Sequence, residues 1–337
     1  MESKPLVLVG VGKVGIGIVS RVKAAPRVFV DADASTLMGL EGTTVFIGAE
    51  TGGAGTGKDP QKAYGMAQQQ REPIHAALTG AEVVVVVGAA GGGTGAGACS
   101  VVAECANELG AAVAVFMIEP LAYEGQTRLA AAKTYLHLIE QHADALFLLP
   151  GKPRKEATPT EAKLSELLAG IENGLVDILG TLSEALHHGI EPADLRKLLE
   201  ACGRAQIGYG AVHAERGIEA AFESACHRSF LDLESLNAAR GLSLIVVAPA
   251  QLNMDDLLRV TQRLESHKPN LSIDTHVATP PAPDETYRVL VISRGIQAAA
   301  EAPPPDSLEK PTDDELVVDG VNLEVPTYIR RARLRVA

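Results

Sequence analysis

Six short runs of uninterrupted apolar residues mark the first half of the chain: Leu6 to Val9, Val28 to Val30, Val45 to Ile47, Val83 to Val87, Val113 to Ile118 and Leu146 to Leu149. Segments with helical spacing of apolar positions separate most of them. Runs this short and this continuously apolar predict strands covered on both faces, so the pattern reads as an α/β fold with a largely parallel, Rossmann-like sheet. Ligands of such sheets bind beyond the carboxyl ends of the strands, and every glycine-rich segment in this half falls there.

From about Thr160 to His188 the period changes. Ile171, Leu175, Ile178, Leu179, Leu182 and Leu186 form one apolar stripe at helical spacing, which predicts a long core helix leading out of the sheet unit. Ile190 to Ile296 then reads as helix, helix, strand (Leu242 to Val247), helix (Met254 to His267) and two strands (Ile273 to Val277, Tyr287 to Ile292), a smaller α/β unit. Beyond Ile296 comes QAAAEAPPPDSLEKPTDDELVVDG, rich in Pro, Ala and acids and too poor in apolar residues to fold alone. The expected plan is residues 1–170, a connecting helix at 171–189, a second unit at 190–296, a disordered linker at 297–321 and a terminal peptide at 322–337.

Composition narrows the function class. With 337 residues and 46% hydrophobic content, two cores of ordinary size are possible. A net charge of −12 argues against nucleic acid as the partner, and an acidic cytoplasmic protein is expected. The four cysteines, Cys99, Cys105, Cys202 and Cys226, form no CxxC pair and follow no secretory signal, so neither disulfides nor zinc is implied. Val83 to Ala103 carries no charge, yet its six glycines suit a strand, loop and helix start better than a membrane span.

Three glycine loops carry the candidate chemistry. GVGKVG, from Gly10 through Gly12 and Lys13 to Gly15, is a GxGxxG fingerprint. With Asp31 or Asp33 after the next strand it suggests NAD when read alone. TGGAGTGKDP, Thr51 to Pro60, falls one residue short of a Walker motif: Asp59 stands where the magnesium-binding hydroxyl belongs, leaving a phosphate-facing loop before a helix. GAAGGGTGAGA, Gly88 to Ala98, follows five valines and opens a helix. Its run Gly91, Gly92, Gly93, Thr94, Gly95, Ala96, Gly97 exposes successive backbone N–H groups, with a hydroxyl donor, at the positive end of that helix.

This third loop resembles the signature of the FtsZ/tubulin superfamily in its FtsZ-like form, and the resemblance extends in order along nearly the whole chain. GVGKVGIG is similar to the first FtsZ phosphate loop, with Lys13 and Val14 replacing glycines. Asp31-Ala32-Asp33 stands for Asn-Thr-Asp, and Gly55-Thr56-Gly57-Lys58-Asp59-Pro60 for Gly-Ala-Gly-Ala-Asn-Pro, the segment that senses the γ-phosphate. Tyr123 to Arg128 resembles Phe-Glu-Gly-x-x-Arg, which implies ribose or sugar-edge contacts for Glu124 and Arg128. Asn173 takes the place of the guanine-reading Asp, while Gly151 and Leu168 replace base-contacting Asn and Phe. GTP or GDP is therefore the expected nucleotide, with relaxed guanine specificity an open alternative. Magnesium is expected mainly on the nucleotide phosphates, with no protein side chain assigned to it.

The same resemblance places catalysis between subunits. His188 to Arg196 stands for the acidic loop that completes the neighbouring subunit's site, which makes Glu191 and Asp194 the catalytic acids, with Gly189 replacing the family's Asn. A plain helix start explains the same acids without catalysis. The tail Glu324 to Arg330 resembles the FtsZ C-terminal peptide, so Val325, Pro326, Tyr328, Ile329 and Arg330 are expected to dock on a membrane-associated adaptor or an anionic membrane surface at the inner face of the membrane. The main expectation is an FtsZ-like GTPase that polymerises head to tail in bacterial cell division or membrane remodelling. The alternatives are a nucleotide-binding structural homologue with little or no hydrolysis and, more remotely, an NAD-dependent oxidoreductase.

Overall fold

The computed structural model describes residues 4–121, 124–149, 163–200, 202–227, 230–231, 239–267, 271–281 and 285–295, with the backbone of 317–318 and 321–322. Successive side chains of a strand point to opposite faces, so the valine run of residues 83–87 feeds two cores at once. Val83, Val85 and Val87 pack into one cluster, and Val84 and Val86 into the other.

The strands are β1 (Lys4–Val11), β2 (Arg27–Asp31), β3 (Thr43–Phe46), β4 (Ala81–Ala89), β5 (Ala112–Ile118), β6 (Ala145–Leu149), β7 (Gly203–His213), β8 (Gly241–Val247), β9 (Ser272–Ala278) and β10 (Thr286–Arg294). The helices are α1 (Gly12–Val19), α2 (Pro60–Gln69), α3 (Arg71–Leu78), α4 (Gly93–Glu108), α5 (Gln126–His142), α6 (Leu164–His188), α7 (Pro192–Glu200), α8 (Gly217–His227) and α9 (Met254–His267). All ten strands form one sheet in the order β3-β2-β1-β4-β5-β6-β7-β10-β8-β9. From β3 to β7 every pairing is parallel, as continuous apolar runs require. β10 then pairs antiparallel with both β7 and β8. Residues 317–318 and 321–322 form a separate two-stranded ribbon.

One face of the parallel sheet is covered by α1, α6 and α7, and the other by α2, α3, α4 and α5. A third cluster lies between α8, α9 and the β7-β10-β8 region. The stripe predicted on α6 is the face it buries: Ile171, Leu175, Ile178, Leu179 and Leu182 are buried, and Leu186 is partly so. At 25 residues this helix is about 37 Å long. Arg288 on β10 grips it through a two-pronged pair with Glu184, 2.8 and 3.3 Å.

Strand β7 corrects the two consecutive helices expected after Ile190. Between α7 and α8 the eleven residues Gly203–His213 form the strand shared by both halves of the sheet, followed by a single 3-10 turn at Ala214–Arg216. Its glycines hid it, because Gly weakens strand propensity. Gly210 is needed for packing: a Cβ there would lie 2.6 Å from Ala225 N and clash with Ala221 O, so α8 rests directly on the strand. All four cysteines are free and buried, and burial pushes the Cys202 and Cys226 thiols up to about 12, as expected of reduced core thiols. Among the described residues no helix is long and apolar enough to cross a membrane. Residues 325–330, Gly151 and Tyr123 lie outside the described residues.

Candidate functional site

At the carboxyl ends of β1 and β4 the chain passes directly into α1 and α4. Neither helix start is closed by a side chain. Val11 and Gly92 stand at the cap positions without a capping hydrogen bond, and neither first turn contains an acid. Helix starts leave backbone N–H groups without intrahelical partners and concentrate partial positive charge. By contrast, Asp59 caps α2, accepting from Gln61 N at 2.9 Å and Lys62 N at 3.1 Å, with Pro60 in the first turn. That explains the acid in a near-Walker sequence: its carboxylate serves the helix.

The two uncapped starts meet. Gly12 has φ 69°, and a Cβ on it would lie 3.2 Å from Gly95 N and 3.5 Å from Thr94 Cβ. The loop before α2 closes the arrangement from one side, because Gly93 abuts Thr56, Lys58 and Asp59 so tightly that a Cβ would clash with Thr56 Oγ1. Glu124 closes it from another, its Oε2 lying 3.2 Å from where a Cβ of Gly91 would be. Four chain segments far apart in sequence thus surround one point at the strand ends. Uncapped helix starts that meet at one point make a candidate anion cradle, the kind of site that can hold a di- or triphosphate.

The predicted residues take distinct places in this frame. Gly12, Gly91, Gly92, Gly93 and Thr94 line the convergence, with Thr56 buried behind it. Gly10, Gly15, Gly95 and Gly97 pack backbone on backbone: Cβ atoms on them would strike Gly15 O, Val87 O, Ala89 O and Pro60 O, respectively. Ala96 is buried beside them. Gly55 and Gly57 turn with φ 76° and 65°, and Ala54 bridges to Asp33 across the loop. Between those turns and α2, Lys58 is the described non-glycine residue at positive φ, 68°, a backbone strain of about 1–2 kcal/mol.

Asp31 is buried and already committed. Its Oδ1 accepts from Ala32 N at 2.7 Å and Asp33 N at 3.2 Å, and its Oδ2 accepts from the Thr36 hydroxyl at 2.7 Å. In this arrangement the carboxylate holds the turn after β2. Of the two acids that the NAD reading offers to a ribose, Asp31 is thus bonded within its own turn. Asp33 lies nearer the surface and accepts from Ser35 N and Oγ at 2.9 and 2.6 Å. Those bonds, with the charge of exposed Lys13 nearby, hold its carboxyl below the usual range.

Glu124 and Arg128 form an ion pair with each other, and Glu124 Oε1 also accepts from Leu121 N at 3.1 Å. Asn173, on the exposed side of α6, accepts through Oδ1 from Arg21 Nη2 at 2.7 Å. Arg21 follows α1 and was not foreseen, since 152 positions separate the partners and no motif links them. An arginine only donates, so the contact fixes which way the Asn173 amide points. One lone pair of its Oδ1 and both Nδ2 hydrogens remain for a ligand. Leu168 is exposed on the same helix.

Glu191 and Asp194 lie at the other end of α6. From Asn173 to His188 the helix rises about 22 Å. Glu191 O accepts from Asp194 N at 3.0 Å and Leu195 N at 3.2 Å, so the acids open α7. Asp194 is half-exposed, 3.7 Å from Lys197 Nζ. Within one chain these acids and the glycine cradle are therefore far apart. Gly189 is required sterically: a Cβ would lie 2.8 Å from Val277 O and 3.0 Å from Ala278 Cα. Gly189→Asn is expected to lower stability by about 1–3 kcal/mol through overpacking, read as a fall in the urea midpoint.

Comparison with known proteins gives a consistent result. Residues 5–152 match the Tubulin/FtsZ family, GTPase domain. The chain is 28% identical over 310 residues to the cell division protein FtsZ 1 of Methanocaldococcus jannaschii, covering 88% of this chain and 84% of that one. It is also 28% identical over 301 residues to the cell division protein FtsZ of Buchnera aphidicola subsp. Schizaphis graminum, covering 86% and 78%. In three dimensions it is similar to the empty FtsZ dimer of M. jannaschii, with a TM-score of 0.78 and 26% identity over 88% of this chain and 89% of that one. It shares its fold with CetZ2 from Haloferax volcanii, solved as a GTPγS-bound protofilament, with a TM-score of 0.74 and 21% identity over 98% of both chains.

Proposed function

We propose, from the premise that this chain belongs to the FtsZ/tubulin superfamily as a divergent FtsZ-like protein, that it is a GTPase that polymerises head to tail and hydrolyses GTP at the subunit interface. The observation that carries the nucleotide site is the meeting of two uncapped helix starts at the ends of β1 and β4. The phosphates of GTP or GDP sit over Gly12 and Gly91 to Thr94, with Lys13 and Lys58 as nearby cations. Asn173, oriented by Arg21, faces the guanine edge.

Magnesium fits this site as a partner of the phosphates. Asp31 is bonded within its own turn, Asp59 caps a helix and Glu124 pairs with Arg128 and accepts from Leu121 N, so none of these three carboxylates is set aside for the ion. When bound, the ion neutralises charge on the phosphate oxygens.

Head-to-tail assembly follows from the separation of acids and cradle. Glu191 and Asp194 cannot reach the phosphates of their own chain, but a second subunit stacked along α6 presents them to a water in line with the γ-phosphate. Such a contact is heterologous and propagates into a filament. In this scheme residues 1–170 bind nucleotide, 171–189 connect, and 190–296 supply the acids. The linker at 297–321 tethers the docking peptide at 322–337, which recruits the cytoplasmic filament to an adaptor or an anionic membrane surface. The similarity to cell division proteins supports a role in division or membrane remodelling.

The tight fit at Gly189, where the resemblance expects an Asn, favours a second reading: nucleotide-dependent assembly with little hydrolysis. Incubation with GTP, GDP, ATP or NAD, followed by light scattering, phosphate release and electron microscopy, decides the matter. GTP-dependent filaments that release phosphate support the main reading, filaments without release support the second, and no GTP-dependent assembly overturns both.

A further inference from the structure

Far from the cradle, in the last turn of α4 and about 18 Å along that helix from Gly93, α3 lies against α4. Here Cys105 is fully buried, Glu108 follows one turn later on the same face, and His75 reaches across from α3. His75 Nε2 is 2.8 Å from Glu108 Oε2. Donor atoms of His75, Cys105 and Glu108 all lie within 4.8 Å of one another, and this is the group of that kind among the described residues.

We infer that His75, Cys105 and Glu108 form a binding site for one zinc-class divalent cation, with a fourth coordination position open to solvent. The donor set of thiolate, imidazole and carboxylate is one that suits zinc and does not suit magnesium or calcium, which take oxygen ligands. Tetrahedral zinc with bonds of about 2.0–2.3 Å holds its donors roughly 3.3–3.8 Å apart, so the side chains need only small rotations to close on an ion. Cys105 forms the floor. The partly exposed His75 and Glu108 leave the entrance open.

The surroundings support the ion in two further ways. Arg71 Nη2 holds Glu108 Oε1 at 2.5 Å, which turns Oε2 toward His75 and Cys105, as an outer-shell partner orients a metal-binding carboxylate. Arg71 Nη1 also pairs with Glu104 at 2.8 Å. With Arg71 positive, Glu104 and Glu108 negative and Cys105 a thiolate, a divalent cation brings the cluster to neutrality. Metal binding displaces the thiol proton of Cys105. The ion would join α3 to the carboxyl end of the helix whose amino end builds the nucleotide cradle.

The test uses the full chain, stripped of metal and nucleotide. Cobalt(II) should bind at one equivalent with thiolate-to-cobalt charge-transfer absorption, and zinc should displace it. Cys105→Ala should abolish the band. His75→Gln, a change at the surface that leaves the core intact, should weaken zinc binding by at least about tenfold while GTP affinity stays unchanged. No band in the unaltered chain, a band that persists in Cys105→Ala, or unchanged zinc affinity in folded His75→Gln would overturn the site. None of these outcomes depends on whether the chain hydrolyses GTP.

Discussion

GTP turnover per subunit is expected to fall about a hundredfold in Asp194→Ala, and by a similar factor in Glu191→Ala, while GTP affinity stays within about twofold. Both acids stand at the start of α7, with Asp194 N bonded to Glu191 O at 3.0 Å. Their separation from the glycine cradle by most of the length of α6 means that neither contributes to nucleotide binding in its own chain. Loss of an acid from the first turn of a helix costs about 0.3–1 kcal/mol, so the variants fold. Lys197→Ala removes the cation 3.7 Å from Asp194 without touching either carboxylate and serves as the control. Phosphate release measured above the assembly concentration, beside nucleotide titration, separates the two quantities. Unchanged turnover in both acid variants would reduce Glu191 and Asp194 to an ordinary helix start.

The second large effect concerns two adjacent glycines that the sequence cannot tell apart. Gly93→Ala is expected to weaken GTP binding by at least about a hundredfold and to lower stability by about 1–3 kcal/mol. Its backbone is ordinary, but the new Cβ would overlap Thr56 Oγ1 and sit 2.8 Å from Asp59 N and Lys58 C, prising the second loop off the start of α4. Gly92→Ala, one residue earlier, is expected to fold normally. Its φ of −95° suits alanine, and the added Cβ would meet Ala89 O at 3.7 Å, an ordinary contact. Thermal melts with nucleotide titrations compare the pair. Equal melting temperatures would show that the loops do not press together at Gly93.

Much of the site could be read from the chain, for reasons that differ by residue. The run from Gly91 to Gly97 announces a phosphate loop because few other uses require so many bare backbone positions at a helix start. Some of those glycines have a second cause that the sequence does not carry. Gly95 and Gly97 have no room for a side chain because Ala89 and Pro60 approach them, and that approach comes from other segments. Asp31 shows the same limit: an acid after the second strand suits a ribose, but Thr36 and two backbone N–H groups already occupy it. Asp59, which stands where a Walker motif has its hydroxyl, caps α2. Arg21 and His75 gave no signal, since their partners lie on helices remote in sequence.

The pattern of apolar residues by itself determined the parallel strands, the stripe of α6 and the placing of glycine loops at strand ends, because those features follow from local periodicity and burial on one face or two. Only the tertiary structure decided that β7 joins both halves into one sheet, that the starts of α1 and α4 meet at Gly12 and Gly95, and that Gly189 has no space for a side chain. Each depends on which distant backbone lies within contact distance of a given Cα, and hydrophobic period carries no information about that distance. His75 meets Cys105 and Glu108 for the same reason: packing between α3 and α4 places three donors together that no spacing in the chain connects.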